Sequence, residues 1–106
     1  MAAVDQVLEI VRVGHPTYRL AYNRHFIGLN DGARAQNFVI FRPRRKHVEV
    51  GIRLANLQDW RAKAGDVGLD ARVRERVLIR LAPGEVGAAK AFLQEAIAAA
   101  GQEHDE

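Results

Sequence analysis

Between residues 47 and 54 apolar and polar side chains alternate without a break. Val48, Val50, Ile52 and Leu54 fall on one side, and His47, Glu49, Gly51 and Arg53 on the other. A period of two is the mark of a strand with one face in a core and the other turned away from it. Such a strand needs neighbours, and the flanking sequence supplies them. Phe38, Val39, Ile40 and Phe41 form a second strand closed by Pro43, and the basic tract Arg42, Arg44, Arg45 and Lys46 makes the connection between the two. Further upstream, Tyr18, Leu20 and Tyr22 alternate with Arg19 and Ala21, and residues 25–29 continue an extended apolar run. This stretch reads as one long bent strand or as two pieces around Asn23. Asn30-Asp31-Gly32 is a turn signal, because Asp-Gly readily supplies positive φ. The loops are too short to hold crossover helices, so the strands form a three-stranded antiparallel meander.

The rest of the chain changes period. Val4, Val7, Leu8 and Val11 recur at helical spacing before Gly14 and Pro16, which predicts a one-sided helix over residues 5–13 lying on the sheet. Asn56 caps a short helix whose apolar face is Leu57, Trp60 and Ala64, with Gly65 at its stop. Trp60 reads as a plug at the edge of the core rather than a stacking platform. Residues 72–81 read as one fourth strand, with Val73, Val77, Ile79 and Leu81 inward and Arg72, Arg74, Arg76 and Arg80 outward. Glu75 interrupts the inner face, so this strand begins as late as Arg76. Pro83 then opens a long helix, with Glu85 in its first turn and a buried stripe of Val86, Ala89, Leu93, Ala96, Ile97 and Ala100.

The expected fold class is therefore α+β, a two-layer domain with a mostly antiparallel sheet of three to five strands and helices on one face. The sheet's other face is left to water or a partner, with Arg53 and the outward arginines of the last strand on it. At 106 residues there is room for one core. A single domain is expected over residues 1–100, with residues 101–106 as a flexible acidic tail. The chain contains no cysteine, which excludes disulfides, thiolate chemistry and cysteine-based zinc or iron–sulfur sites. No leader pattern and no apolar run of membrane-spanning length is present, so the expected compartment is the cytoplasm and no membrane partner is expected.

Charge narrows the function classes. From Arg12 to His47 there are eight basic residues against the single acid Asp31, so this segment carries +7 although the whole chain carries only +3. Regional positive charge draws polyanions. The candidate nucleic-acid contacts are Arg42, Arg44, Arg45 and Lys46 in the strand connection and Arg72, Arg74, Arg76 and Arg80 on the last strand. The bland alternative is an arginine-rich surface that merely faces water, or one that meets a protein partner or a second copy of the chain.

Enzymatic readings are weaker. The histidines, His15, His25, His47 and His104, show no metal-peptidase spacing, and Glu49 lacks the second acid and nearby lysine of a metal-dependent nuclease, so no metal and no cofactor is expected. Gly65 and Gly68 flank and enter the loop of residues 66–70, but it has no phosphate-loop pattern. A metal-independent ribonuclease would draw on Tyr22, His25, Arg45 and His47, because these groups supply proton transfer and charge stabilisation without a metal. The usual reading of such histidines is a partly exposed strand residue.

The runs Tyr22-Asn23-Arg24-His25-Phe26-Ile27-Gly28-Leu29 and Asn37-Phe38-Val39-Ile40-Phe41-Arg42-Pro43-Arg44, with the Gly68-Leu69-Asp70 turn and the Arg80-Leu81 strand end, carry a resemblance. Together they resemble a small domain of unknown function found at the C-terminal end of bacterial proteins labelled predicted transport proteins or restriction-associated proteins. The likeness follows the order of elements from Tyr22 to Ala100. It implies an accessory domain in systems that act on DNA, and it supplies no catalytic residue. An aromatic residue expected before the final arginine-rich stretch is replaced around residues 74–77.

Overall fold

The computed structural model describes residues 2–105, and of Ala2, Ala3, Pro83, His104 and Asp105 the backbone alone. The alternating run forms strand β4 (Val48–Ile52), preceded by helix α1 (Ala2–Gly14) and strands β1 (Arg19–Tyr22), β2 (Ile27–Asn30) and β3 (Val39–Pro43). After β4 come helix α2 (Leu57–Asp66), strands β5 (Asp70–Val73) and β6 (Val77–Leu81), a 3-10 turn (Pro83–Glu85) and helix α3 (Val86–Asp105). The six strands make one sheet in the order β1-β2-β3-β4-β6-β5, with every neighbouring pair antiparallel. This is the expected α+β layering with one strand more than the upper count.

Of the two readings of the stretch around Asn23, the structure has the two pieces, and the reading of residues 72–81 changes. The run around Asn23 resolves into a hairpin, in which the Asn23 side-chain oxygen accepts from the amides of His25 and Phe26 and so stands in for a backbone turn. Residues 72–81 are two strands rather than one. Val73 pairs directly with Val77, and residues 74–76 close the hairpin with the Arg74 amide donating to the Arg76 carbonyl. Val73 and Val77 share a face in either arrangement, because four positions apart have the same parity in one strand and also oppose each other across a three-residue connection. Alternation alone therefore could not separate the two. The long connection through α2 carries the chain to the far edge, and β6 returns between β5 and β4.

One face of the sheet is covered by the helices. Val39, Phe41, Val50, Ile52, Ile79 and Leu81 meet Val4, Val7 and Val11 of α1 and Leu93, Ala96 and Ile97 of α3 in one core. The stripe expected on the last helix is the buried one. Trp60 packs edge-on against Phe92 with the Lys63 ammonium 4.5 Å above its ring centre, the core-edge position expected for it. His15 stacks on Tyr18, with ring centres 4.4 Å apart, beside Phe38. The chain's own helices cover this face of the sheet.

The ends of the elements depart from expectation in detail. Asn56 precedes α2 without a side-chain capping bond, and α2 runs past Gly65; the left-handed position after it belongs to Gly68, φ +80°. Gly32, φ +97°, makes the expected turn, and Asp31 accepts from the amides of Ala33 and Arg34 there. Glu85 reaches back to accept from the Ala82 amide. Helical backbone continues over residues 101–105 where a frayed tail was expected, and Glu103 accepts from the Ala55 amide. Glu106 lies outside the described residues. No described helix is long and apolar enough to cross a membrane.

Candidate functional site

Charge is sorted between the two layers. Among the described residues, strands and the connections between them carry twelve of the chain's sixteen Lys and Arg residues but only four acids, Asp31, Glu49, Asp70 and Glu75. The helical segments carry the other four cations, Arg12, Arg61, Lys63 and Lys90, and eight acids. By segment, the strands and their connections therefore carry a net positive charge and the helices a net negative one.

The cations on the sheet side fall into two groups. Arg44, Arg45 and Lys46 sit exposed in the turn between β3 and β4, held by the Arg44 amide donating to the His47 carbonyl at 2.8 Å. The β1–β2 tip, with Arg24 and His25, projects from the same end of the sheet, because Tyr22 pairs with Ile27, Ile27 with Phe41, and Pro43 with Val48. Tyr22, His25, Arg45 and His47 thus share one end. Tyr22 is 75% exposed, and among the described residues no hydrogen bond joins any two of these four.

The second group lies on the helix-free face. Register sets Arg42, Glu49, Arg80 and Asp70 in one row across β3, β4, β6 and β5. Glu49 is buried to 5% exposure. It receives the Arg72 guanidinium at 2.8 Å and lies 3.7 Å from that of Arg42, while Arg80 lies 3.8 Å from Asp70. Charge-assisted pairing of this kind is the requirement for burying a carboxylate. Arg72, Arg74, Arg76 and Arg80 therefore do not form one row on one strand. Arg72 is on β5 and tied to Glu49, Arg80 is on β6 beside Asp70, and Arg74 and Arg76 occupy the hairpin between them, at the end of β4 remote from Arg44, Arg45 and Lys46.

The next row contains Ile40, Gly51 and Leu78, which pair in register. Ile40 and Leu78 are only 4% and 6% exposed although no helix covers them. Their cover is Arg76, whose side chain folds back from the hairpin over Gly51. A Cβ built on Gly51 would stand 3.2 Å from Arg76 Cδ, 3.1 Å from Ile40 Cγ1 and 3.2 Å from Leu78 Cδ2. Glycine in a strand interior marks such a close approach, and the methylenes of arginine cover apolar surface while the head group stays polar. Here the head group is only partly provided for, because Arg76 Nη1 is buried and has no hydrogen-bond partner in the protein. Burial holds the guanidinium below the usual arginine range. The positive charges of Arg53 and Arg42 push it further down, and Glu75 opposes them. Ile40, Arg42, Arg74, Glu75, Arg76 and Leu78 enclose an open trough of about 270 Å³ at this place.

Sequence reasoning placed Arg53 on this face without counting it among the contacts, and it registered Gly51 only as an outward position. What singles Gly51 out is cross-strand register, and what singles Arg53 out is its charge beside Arg76; a single strand displays neither. Among the described residues no group of three or more His, Asp and Glu side chains stands ready to hold a metal ion. Compared with protein-family models, with curated proteins and with solved structures, the chain matches none.

Proposed function

We propose that this chain is an accessory module that binds nucleic acid through its phosphate backbone, using the helix-free face of the sheet and the basic strand ends beside it. The observation that carries the reading is the sorting of charge between the layers, with twelve cations and four acids on the sheet side against four cations and eight acids on the helical side. A cationic face backed by an anionic one orients the domain toward a polyanion before contact and concentrates attraction on one surface. The affinity would come from displaced counterions, so it should fall steeply with salt.

The face offers arginines and aliphatic side chains rather than rings, since Phe38 and Phe41 belong to the core. Arginines on phosphates fix position and carry no sequence information. The expected behaviour is therefore binding with little dependence on base sequence. The accessory role is the part of this proposal that comes from the resemblance in the strand motifs. Fluorescence anisotropy with a short duplex DNA and a single-stranded RNA, each at low and moderate salt, tests the reading. Salt-sensitive binding supports it, and the absence of binding at low salt rejects it in favour of a scaffold or protein-interaction domain.

A further inference from the structure

We infer that the trough over Gly51 is a discrete subsite for one phosphate group, held by the guanidinium of Arg76 with Arg42, Arg53 and Arg74 around it. This deepens the polyanion reading by assigning one phosphate to one place, and it rests on different observations. The first is the unpartnered Nη1 of Arg76, a buried donor on a charged group. Such a donor is costly to leave unmade, and the side chain that carries it lines the trough together with Arg42 and Arg74, with Arg53 within electrostatic reach.

The second observation is the local charge balance. Glu49, the buried acid of this face, is engaged by Arg72 and Arg42, and Glu75 is the acid left at the trough. With Arg42 engaged by Glu49, one carboxylate against Arg53, Arg74 and Arg76 leaves an excess of two positive charges, which a monovalent carboxylate ligand would not match and a divalent phosphate would. The planar fork of arginine suits two phosphate oxygens at once. The third observation is room. A trough of about 270 Å³ is several times the roughly 30 Å³ that one water takes in the liquid.

Gly51 is what makes the subsite fit in a sheet. Without a Cβ at that position the Arg76 stem lies flat between Ile40 and Leu78, and the two aliphatic side chains give the guanidinium an apolar floor. A low-dielectric floor strengthens a charge-assisted bond to an anion that displaces water from above. The β5–β6 hairpin fixes the backbone of Arg74 and Arg76 on either side of Glu75, so little ordering is left to be done on binding.

The test uses the whole chain, its R76M variant and a variant with Arg44, Arg45 and Lys46 changed to alanine. Each is assayed for thermal stabilisation by inorganic phosphate at constant ionic strength, with chloride as the control anion, and for anisotropy binding of a short duplex and a single strand. The expected result is that phosphate at about ten times its dissociation constant raises the melting temperature of wild type by about 5 °C or more. The strand-connection variant should respond equally, and R76M should not respond. Equal stabilisation of wild type and R76M, or none of wild type beyond chloride, overturns the subsite. Nucleic-acid binding that persists unchanged in R76M also overturns it while leaving the polyanion reading standing. Phosphate stabilisation that needs Arg76 in a chain that binds no nucleic acid keeps the subsite and rejects the polyanion reading.

Discussion

Replacing Arg76 with methionine should make the protein more stable in the absence of phosphate, which is the reverse of what a core-facing truncation usually does. The side chain makes two opposed contributions. Its methylenes cover Ile40, Leu78 and the backbone of Gly51, and its guanidinium buries one donor without a partner, close to the charges of Arg53 and Arg42. Methionine is unbranched and adaptable enough to keep the cover, while it removes the donor. An unsatisfied buried polar group costs about 1–3 kcal/mol, and more when charged. Since Arg76 is only half-buried, the lower part of that range applies, and about 1–2 kcal/mol should be recovered. For a chain of this size each kcal/mol moves the melting temperature by about 4–8 °C, so R76M should melt roughly 4–16 °C above wild type in chloride buffer. Differential scanning calorimetry at low ionic strength measures it, with R74M as control because the exposed Arg74 should stay within about 0.5 kcal/mol of wild type. Saturating phosphate should narrow or reverse the gap by stabilising wild type alone. An R76M variant that melts below wild type in chloride would refute the claim that the guanidinium is held at a cost.

Four further outcomes follow from the same geometry. Gly51→Ala inserts a Cβ 3.1–3.2 Å from Ile40, Leu78 and Arg76; it should cost about 1–3 kcal/mol in chemical denaturation and abolish the phosphate response by lifting Arg76 out of the trough. Glu49→Gln releases Arg72 and Arg42 from their shared carboxylate; it should lower stability by about 1–2 kcal/mol and steepen the slope of log affinity against log salt for DNA by about 1–2 units. Changing Arg44, Arg45 and Lys46 together to alanine should flatten that slope by about 2–3 units with the circular dichroism spectrum unchanged, and an unaltered salt series would make the β3–β4 turn a solvated loop. The carboxyl of Asp31 is held below its ordinary range by the amides of Ala33 and Arg34, so its contribution to stability is complete above the unfolded carboxylate range. It is lost as pH falls through the lower folded value; the stability difference between wild type and D31A should accordingly be flat near neutrality and shrink on acidification, as read from urea denaturation at a series of pH values.

Much of this fold is written locally. The strict alternation at residues 48–52, the Asp-Gly turn and the stripe of α3 each depend on neighbours a few positions apart, and each is present where the sequence places it. What escaped depends on pairing. The β5–β6 hairpin has no Gly or Asn at its tip, and Arg74-Glu75-Arg76 continues the same in-out parity that a single strand would have. The arginines of residues 72–80 therefore looked like one row when they belong to two strands and a turn. Their partners were equally hidden, since Glu49 and Arg72 are 23 positions apart and meet only because β6 returns between β4 and β5. The charge bias of residues 12–47 was legible from counting, whereas the sorting of acids onto the helices needed the element boundaries.

The trough also explains why two residues that weaken a sheet stand next to each other at its centre. Glycine in a strand interior lacks a side chain to pack and loses more entropy on folding than other residues, a penalty of roughly 0.5–1 kcal/mol against alanine. A guanidinium with a buried, unpartnered donor adds a second penalty. Either one alone is a local fault, but each removes the other's alternative: a side chain at position 51 would exclude the Arg76 stem, and without that stem Ile40 and Leu78 would be bare apolar surface on an otherwise charged face. A scaffold selected only for stability would remove both faults together, with alanine or valine at 51 and a short apolar residue at 76. Positions where local rules are broken in a mutually dependent way are where function is expected to have been traded against stability. On this argument the double variant G51A/R76M should be more stable than the sum of the two single changes predicts, because a methionine with no head group to hold in place yields to the added methyl group more readily than the arginine stem does. It should be indifferent to phosphate at every concentration. A double variant whose stability equals the sum of the two single changes would mean that Gly51 and Arg76 are not coupled, and that the trough is an accident of packing.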